Sequence, residues 1–301
     1  MNDAVPPAST FRTGFIAIVG CPNVGKSTLM NRLVGAKLSI TSKKAQTTRH
    51  RIHGILTTET AQFVFVDTPG FQTQHRNALN RAMNRNVAGA LADVDLVLFV
   101  IEANRWREED RAVLARLPAG TPTILVINKV DRLKDKGRLL PFIAARAAEH
   151  AFAEIVPVSA EKGANLDALL AAAGRHLPES PPIFDADDIT DRSERFLAAE
   201  LLREKLFRNL GDELPYGIAV EIEKFEETGG VRRIYAAVIV DKEVHKAIVI
   251  GKGGALLKRV SSDARKEMER LFSGRVWLET WVKVKSGWAD DERALKSLGY
   301  E

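Results

Sequence analysis

One cysteine, three tyrosines and four tryptophans in 301 residues set the first limits on this chain. A lone thiol, Cys21, cannot close an intramolecular disulfide or build a cysteine-type zinc site. A stapled secreted fold is therefore excluded, and a reducing, cytoplasmic compartment is the default expectation. No apolar run approaches the roughly 18–20 residues that a membrane span needs. Runs such as residues 96–101 and 124–127 have the length of buried strands. Residues 1–10 are polar and proline-bearing and lack the apolar core of a leader, so a secretory signal is not expected. The weakly hydrophobic, one-signed composition of disordered chains is missing too: 45% of residues are hydrophobic and 28% charged.

What remains is an ordinary globular composition, long enough for about two domains of roughly 100–200 residues. The net charge of +5 is unevenly spread: residues 1–180 carry +7 and residues 181–301 carry −2. Within the second part, residues 242–285 hold +6 and residues 181–241 hold −6. A basic segment of this kind suits a polyanion or a plain solvated surface equally well.

From Phe15 onward, short β-rich runs alternate with amphipathic stretches. Residues 15–19, 63–66, 96–101, 123–127 and 155–158 read as strands. Helices are expected after Ser27 and over 79–92, 108–117, 141–152 and 166–176, giving an α/β domain whose mainly parallel sheet is covered on both faces. The pattern stops at Pro178-Glu179-Ser180-Pro181-Pro182, a stiff linker followed by acidic residues 185–188. The expected division is a tail over 1–13, a first domain over 14–178, a linker over 179–190 and a second domain over 191–301. The second domain reads as an α+β unit of order αββααβ, with Gly229-Gly230 as a hairpin turn and a short helical tail at 290–298.

Gly20-Cys21-Pro22-Asn23-Val24-Gly25-Lys26-Ser27 fits G-x-x-x-x-G-K-[ST] in the strand–loop–helix setting that motif requires. Backbone N–H groups of such a loop converge on phosphate oxygens, Lys26 adds a cation, and the Ser27 hydroxyl suits Mg²⁺. Asp67-Thr68-Pro69-Gly70 follows a strand; Asp67 suits Mg²⁺ and the Gly70 N–H a γ-phosphate, although alone the tetrapeptide is a common turn. Asn128-Lys129-Val130-Asp131 ends another strand. Its Asp131 can accept two parallel hydrogen bonds from guanine, Asn128 would brace the loop and the Lys129 stem would cover the base. Ser159-Ala160-Glu161 adds an N–H for guanine O6. These four elements in this order, each at a strand end, point to guanine nucleotide binding far more strongly than any one alone.

Residues 15–177 resemble the GTPase domain of the translation-factor class. The segment Gln46-Thr47-Thr48-Arg49-His50-Arg51, with the second domain, narrows the resemblance to the Era family of bacterial GTPases. That resemblance implies GTP and GDP as ligands, hydrolysis at a slow intrinsic rate, and Thr48 rather than Thr47 completing the Mg²⁺ shell beside Ser27 and Asp67. It also adds Thr28 to the nucleotide contacts. Phe71 stands where Ras-like enzymes carry a water-orienting glutamine, so hydrolysis must lean on something else. Relatives lacking that glutamine hold K⁺ on a phosphate-loop asparagine, here Asn23, which could equally do no more than shape the turn. Lys26, Thr48, Gly70 and Asn23 are thus the expected catalytic group.

Gly251-Lys252-Gly253-Gly254 joins two helical stretches and fits the GXXG loop of a KH module, and αββααβ is the order of its prokaryotic (type II) form. Lys246, Lys258, Arg259 and Arg265 are phosphate candidates, and a groove beside Val244, Ile248 and Ile250 could hold bases. Trp277 and Trp281 alternate along a strand and read as core, while Trp288 remains a candidate for base stacking. By resemblance the RNA is the 3′ end of 16S rRNA and the role is maturation of the 30S subunit. A monomer is expected, with peripheral inner-membrane association in relatives but no anchor in this sequence. A P-loop kinase or ATPase acting on a non-RNA substrate is the competing reading; it leaves Asp131 and the GXXG loop without a purpose.

Overall fold

The computed structural model describes residues 11–41, 48–68, 79, 91, 93–211 and 214–298. These group into two compact units: residues of 1–34, 53–67 and 90–191, and residues of 35–52, 68–89 and 192–301. The chain thus crosses to the second unit after Val34 and returns at His53, before its final crossing after Asp191.

The first unit is built on a six-stranded sheet of order β2-β3-β1-β4-β5-β6. Its strands are β1 (Arg12–Val19), β2 (Ile52–Thr57), β3 (Ala61–Asp67), β4 (Leu96–Glu102), β5 (Thr123–Asn128) and β6 (Glu154–Pro157). β1 pairs in parallel with β3 and β4, β4 with β5, and β5 with β6. β3 and β5 are buried along their whole length, as strands covered on both faces must be, which is why they read as continuous apolar runs. Flanking helices are α1 (Lys26–Val34), α2 (Glu108–Leu114), α3 (Leu139–Ala147) and α4 (Leu166–Arg175). α3 begins before Pro141 because a proline in the first helical turn has no intrahelical N–H to lose. β2 was not expected: Ile52-His53-Gly54-Ile55 lacks a strand's alternation, and its pairing with β3 rests on the tight connection 58–60. The helix expected over 79–92 lies largely outside the described residues.

The expected linker, 179–190, is bound with its flanking residues along the first unit. Pro178 O accepts from Thr13 N (3.1 Å) and Phe11 O from Ser180 N (3.1 Å). The fully buried Gln62 of β3 accepts from Ile183 N (2.8 Å) and Phe184 N (3.0 Å) and donates to Phe184 O (2.9 Å). Farther on, Ile55 N donates to Ile189 O (2.9 Å) and Thr190 Oγ1 to His53 O (2.7 Å). An extended strap needs partners for its backbone, and one strand glutamine supplies three of them.

The second unit has the order α5 (Glu194–Asn209), β7 (Ile218–Thr228), β8 (Val231–Val240), α6 (Glu243–Ile250), α7 (Ala255–Leu271), β9 (Arg275–Val284) and α8 (Glu292–Ser297). β7 and β8 form an antiparallel hairpin, and β9 returns parallel to β8. Ile234, Ala236, Val238 and Val240 alternate into one core with Val260, Ala264 and Met268. A smaller cluster on the opposite face gathers Ala219, Ala237, Ile239, Trp288 and Leu295. Trp281 packs against this cluster as expected, whereas Trp288 and Trp277 exchange their expected roles. Trp288 is 1% exposed and its Nε1 donates to Gly217 O (3.2 Å), so it cannot stack on a base without unfolding. Trp277 is 44% exposed and meets Tyr235 edge-on, because the chain after β9 covers only the Trp281 end of that face.

Burial of the 48–50 segment is the largest departure from a solvated loop: Thr48, Arg49 and His50 are 4%, 0% and 8% exposed. Desolvation pushes His50 down to about 4, with Glu200 opposing and Arg203, Arg49 and Arg192 reinforcing the fall. The unfolded chain, titrating near 6.5, then binds this proton before the folded one does. Stability from this site is therefore complete above pH 6.5 and lost as pH drops toward 4, by at most about 3 kcal/mol. Denaturant melts of the wild type should weaken over that interval and those of His50→Gln should be flatter; equal slopes would contradict the assignment.

Candidate functional site

β1 lies between β3 and β4, so the chain leaves its C-terminal end at the point where strand order reverses, the place where open α/β sheets bind ligands. The loop Gly20–Ser27 follows, and the register Ile18↔Asp67 sets the end of β3 beside it. Ser27 Oγ donates to Asp67 Oδ2 at 2.9 Å, both groups being buried. A hydroxyl and a carboxylate in contact at the mouth of a phosphate loop are hard oxygen donors of the kind Mg²⁺ prefers, so these residues fit the ion. Lys26 Nζ donates to Gly20 O (2.9 Å) and Cys21 O (3.0 Å), which folds its cation back over the loop. Burial pushes the Lys26 ammonium below its usual range, against the pull of Asp67. Burial also lifts the Cys21 thiol to about 12, with Asp110 adding to the rise, so that sulfur is no nucleophile.

Asn128, at the end of β5, donates from Nδ2 to Val24 O (2.9 Å) and accepts at Oδ1 from Ala160 N (3.0 Å). One amide thus joins the phosphate loop to the Ser159–Ala160 turn. A side chain at Gly25 would collide with it, an added Cβ lying 2.3 Å from Asn128 Nδ2, and φ there is +104°. Lys129, at φ +66°, reaches Asn23 O (2.6 Å) and Glu102 Oε2 (2.8 Å). Burial raises Glu102, but the hydrogen bond and charge of Lys129 outweigh it and hold the carboxyl below its usual range. Ser159 Oγ donates to Asp131 Oδ1 (2.5 Å), fixing that carboxylate. Arg32 adds a tie to Glu161 O (2.8 Å). Glu102 and Arg32 were not anticipated; only their spacing from the loops they bind gives them meaning, and that spacing is tertiary. Thr28 is half-buried at the start of α1. Gly70 and Phe71 lie outside the described residues. Thr48 is buried, with its Oγ1 3.4 Å from Ser39 Oγ.

In the second unit the GXXG loop takes positive φ at Gly251 (+73°), Gly253 (+58°) and Gly254 (+78°). An added Cβ at Gly251 would strike the Leu256 Cβ at 2.7 Å, whereas at Gly253 and Gly254 it meets nothing. The loop is therefore packed at its entry and open at its tip, where Lys252 is exposed. Beside it, a cavity of about 370 Å³ opens between α7 and β9, lined by residues including Gly254, Lys258, Ser261, Arg265 and Thr280. Ser261 Oγ and Thr280 Oγ1 are 2.7 Å apart in its wall. Lys246 and Arg259 lie outside the lining, and so do the expected Val244, Ile248 and Ile250; Val244 and Ile248 stand 69% and 48% exposed on α6. The cleft runs between α7 and the Leu278 and Thr280 positions of β9.

Residues 15–129 match the family model described as a 50S ribosome-binding GTPase, and residues 213–289 match that of the KH domain. The GTPase Era of Nitrosomonas eutropha is 59% identical over 294 residues, spanning 98% of this chain and 99% of that protein. That of Neisseria meningitidis is 60% identical, spanning 97% and 96%. The chain belongs to the Era family of GTPases. Two solved structures of the Era family agree in fold, each with a TM-score of 0.93 at 40% identity over 96% of this chain and 99% of the other. One is Aquifex aeolicus Era bound to GDP·AlF4⁻, the other Era with MgGDPNP and nucleotides 1506–1542 of 16S ribosomal RNA. The enzymatic activity of the family is GTP hydrolysis.

Removing the amide of Asn128 breaks two buried hydrogen bonds at once. Asn128→Ala should cost about 2–3 kcal/mol, or roughly 30- to 150-fold in GDP affinity. A calorimetric Kd within threefold of wild type would contradict the bracing role.

Proposed function

We propose that this chain is a GTP-driven switch whose KH unit binds the 3′ end of 16S rRNA and assists assembly of the 30S subunit. The observation that carries the reading is the fixed Asp131 carboxylate, on a loop braced to the phosphate loop, in the same chain as an open GXXG cleft. The description of the matched GTPase model names the 50S particle. The small-subunit assignment draws instead on the Era structure that contains 16S rRNA.

In this reading the backbone of residues 20–27 and Lys26 hold the phosphates, and Ala160 N–H and Asp131 read guanine. Ser27, Asp67 and Thr48 would hold Mg²⁺, which neutralises phosphate charge when bound. Lys26, released from its carbonyl partners, offsets charge that develops on the transferred phosphoryl group. Water is the nucleophile, and no side chain of this site is assigned as its base. Gly70 would contact the γ-phosphate. Asn23 is exposed, in the left-handed region, and no hydrogen bond among the described residues occupies its side chain; that supports it as the K⁺ ligand. Lys252, Lys258 and the open Gly253–Gly254 tip would take the RNA backbone, with Lys246, Arg259 and Gly251 at its margin.

The domain limits in this proposal are 14–178 and 191–301. No helix among the described residues is long and apolar enough to cross a membrane. A cytoplasmic monomer with peripheral contact to the inner membrane completes the reading.

Two outcomes test it. Asp131→Asn should lower GTP affinity by at least roughly 100-fold and raise that for xanthosine triphosphate, because an amide N–H now faces a C2 carbonyl. Unchanged GTP use would favour the kinase or ATPase alternative. Crosslinking to total RNA with GTP or GDP bound should map to the 16S 3′ end; crosslinks scattered equally over unrelated RNAs would count against the ribosomal role.

A further inference from the structure

The turn after β5 and the turn after β6 are joined by four contacts. Ala160 N donates to Asn128 Oδ1 (3.0 Å), Val130 N to Val158 O (3.2 Å), Ser159 Oγ to Asp131 Oδ1 (2.5 Å) and Arg132 Nη2 to Glu161 Oε2 (2.9 Å). Residues 128–132 are thus zipped to residues 158–161. Three of the rungs involve a group that water hardly reaches: Asn128, Val158, Ser159 and Ala160 are no more than 2% exposed. The fourth is of another kind. The Arg132 and Glu161 side chains are 59% and 58% exposed, and the contact between them is a solvated ion pair.

Glu161 is held a second time, by a third segment. Arg32 donates from Nη2 to Glu161 O (2.8 Å) and from Nε to Ala160 O (3.4 Å). Arg32 stands in the last turn of α1, the helix that begins at Lys26 of the phosphate loop. One helix therefore carries the phosphate lysine at its start and grips the turn after β6 from its end. A peptide plane moves as one body with its carbonyl, so the two hydrogen bonds fix the planes that follow Ala160 and Glu161. With its backbone fixed, Glu161 cannot follow Arg132 outward. Their ion pair either keeps the 128–132 turn in place or breaks.

We propose that Arg132, Glu161 and Arg32 are positioning residues that form a clasp on the guanine site and set how long the bound nucleotide stays. The inference rests on the reading above in which Asp131 and the Ala160 N–H take the base. A base held between the two turns leaves when they part. A zipped pair of turns opens first at its solvated rung, where water replaces the lost contact at once. The clasp therefore acts on dissociation more than on encounter. Exposure sets its strength: a solvated ion pair changes a rate by about 1.4- to 5-fold, and added salt weakens it. The Arg32 hold is the larger of the two, because a charged donor serves two carbonyls and secures the whole turn.

The test follows release of N-methylanthraniloyl-GDP from the full chain after a chase with excess GDP. Ionic strength is raised with choline chloride, which leaves magnesium and potassium constant. Arg132→Gln and Glu161→Gln should each speed release about two- to fivefold at low ionic strength. The double variant should be no faster than either single one, because the same contact is broken in all three. Exchanging the charges, Arg132→Glu with Glu161→Arg, should return the rate to within about twofold of wild type. High ionic strength should speed release from the wild type and leave the two glutamine variants unchanged. Arg32→Ala should speed release about five- to tenfold, with Arg32→Lys in between. Should Arg32→Ala fail to fold, the cycle between the two exposed residues still decides the proposal. Single effects that multiply in the double variant overturn it. So does a lowered Tm with an unchanged release rate, which marks a merely structural tie. Slow GDP release that ignores all three residues removes the clasp alone. Release of N-methylanthraniloyl-ADP as slow as that of the guanine nucleotide removes the guanine reading and the clasp together.

Discussion

The Asn128 amide commits both of its ends to backbone, one to the phosphate loop and one to the turn after β6. The turn after β6 closes on itself through the paired Ser159 and Ala164 backbones, and the Asn128 amide ties that closed turn to the phosphate loop. A phosphate site works only if several N–H groups converge within a few tenths of an ångström, and a guanine site only if its carboxylate keeps one angle. Both demands fall on this bracket. Gly25 has to lack a side chain because the bracket passes across it. Lys129 adds a second tie from the same turn to Asn23 O, with Glu102 holding its cation. The sheet delivers the strand ends, and these two residues tie the loops that follow them together.

How far this was legible in sequence depends on where the partner of each residue lies. The phosphate loop, Asp67, Asn128, Asp131 and Ser159 could be read because each follows a short apolar run, and a parallel sheet puts the C-terminal ends of such runs along one edge. Glu102 and Arg32 could not: nothing local marks them, and their partners are 27 and 129 residues away. The binding of the strap over 178–191 to the first unit was hidden for the same reason. Prolines announce an extended backbone, but the acceptor and donors that bind it belong to Gln62, a polar residue inside an apolar strand whose purpose appears only once the strap is folded over it.

The tryptophans show a different limit. Alternation places Trp277 and Trp281 on one face of β9, and the structure agrees on the face. Which part of a face is covered depends on where the following chain goes. α8 and Trp288 pack against Ala237 and Ile239, so Trp281 is drawn into that cluster and Trp277 is left open beside Tyr235. Periodicity determines the side of a sheet; it carries no information about the length of the lid.

α5 raises the sharper question, because its sequence argues against its environment. Glu-Arg-Phe-Leu-Ala-Ala-Glu-Leu-Leu-Arg-Glu-Lys has the charge density of a surface helix, yet its charged centre is buried on every side. Leucines at those positions would pack the helix at least as firmly and would spare the desolvation of four charges. Apolar packing, however, slides: its energy changes gradually with position. Ion pairs with Lys37 and Glu267 do not slide, because each hydrogen bond is lost within about half an ångström to an ångström of displacement. The charged centre of α5 therefore fixes Lys37, Thr41 and Glu267 at one separation from the helix, which leucines at the same positions would leave free to drift.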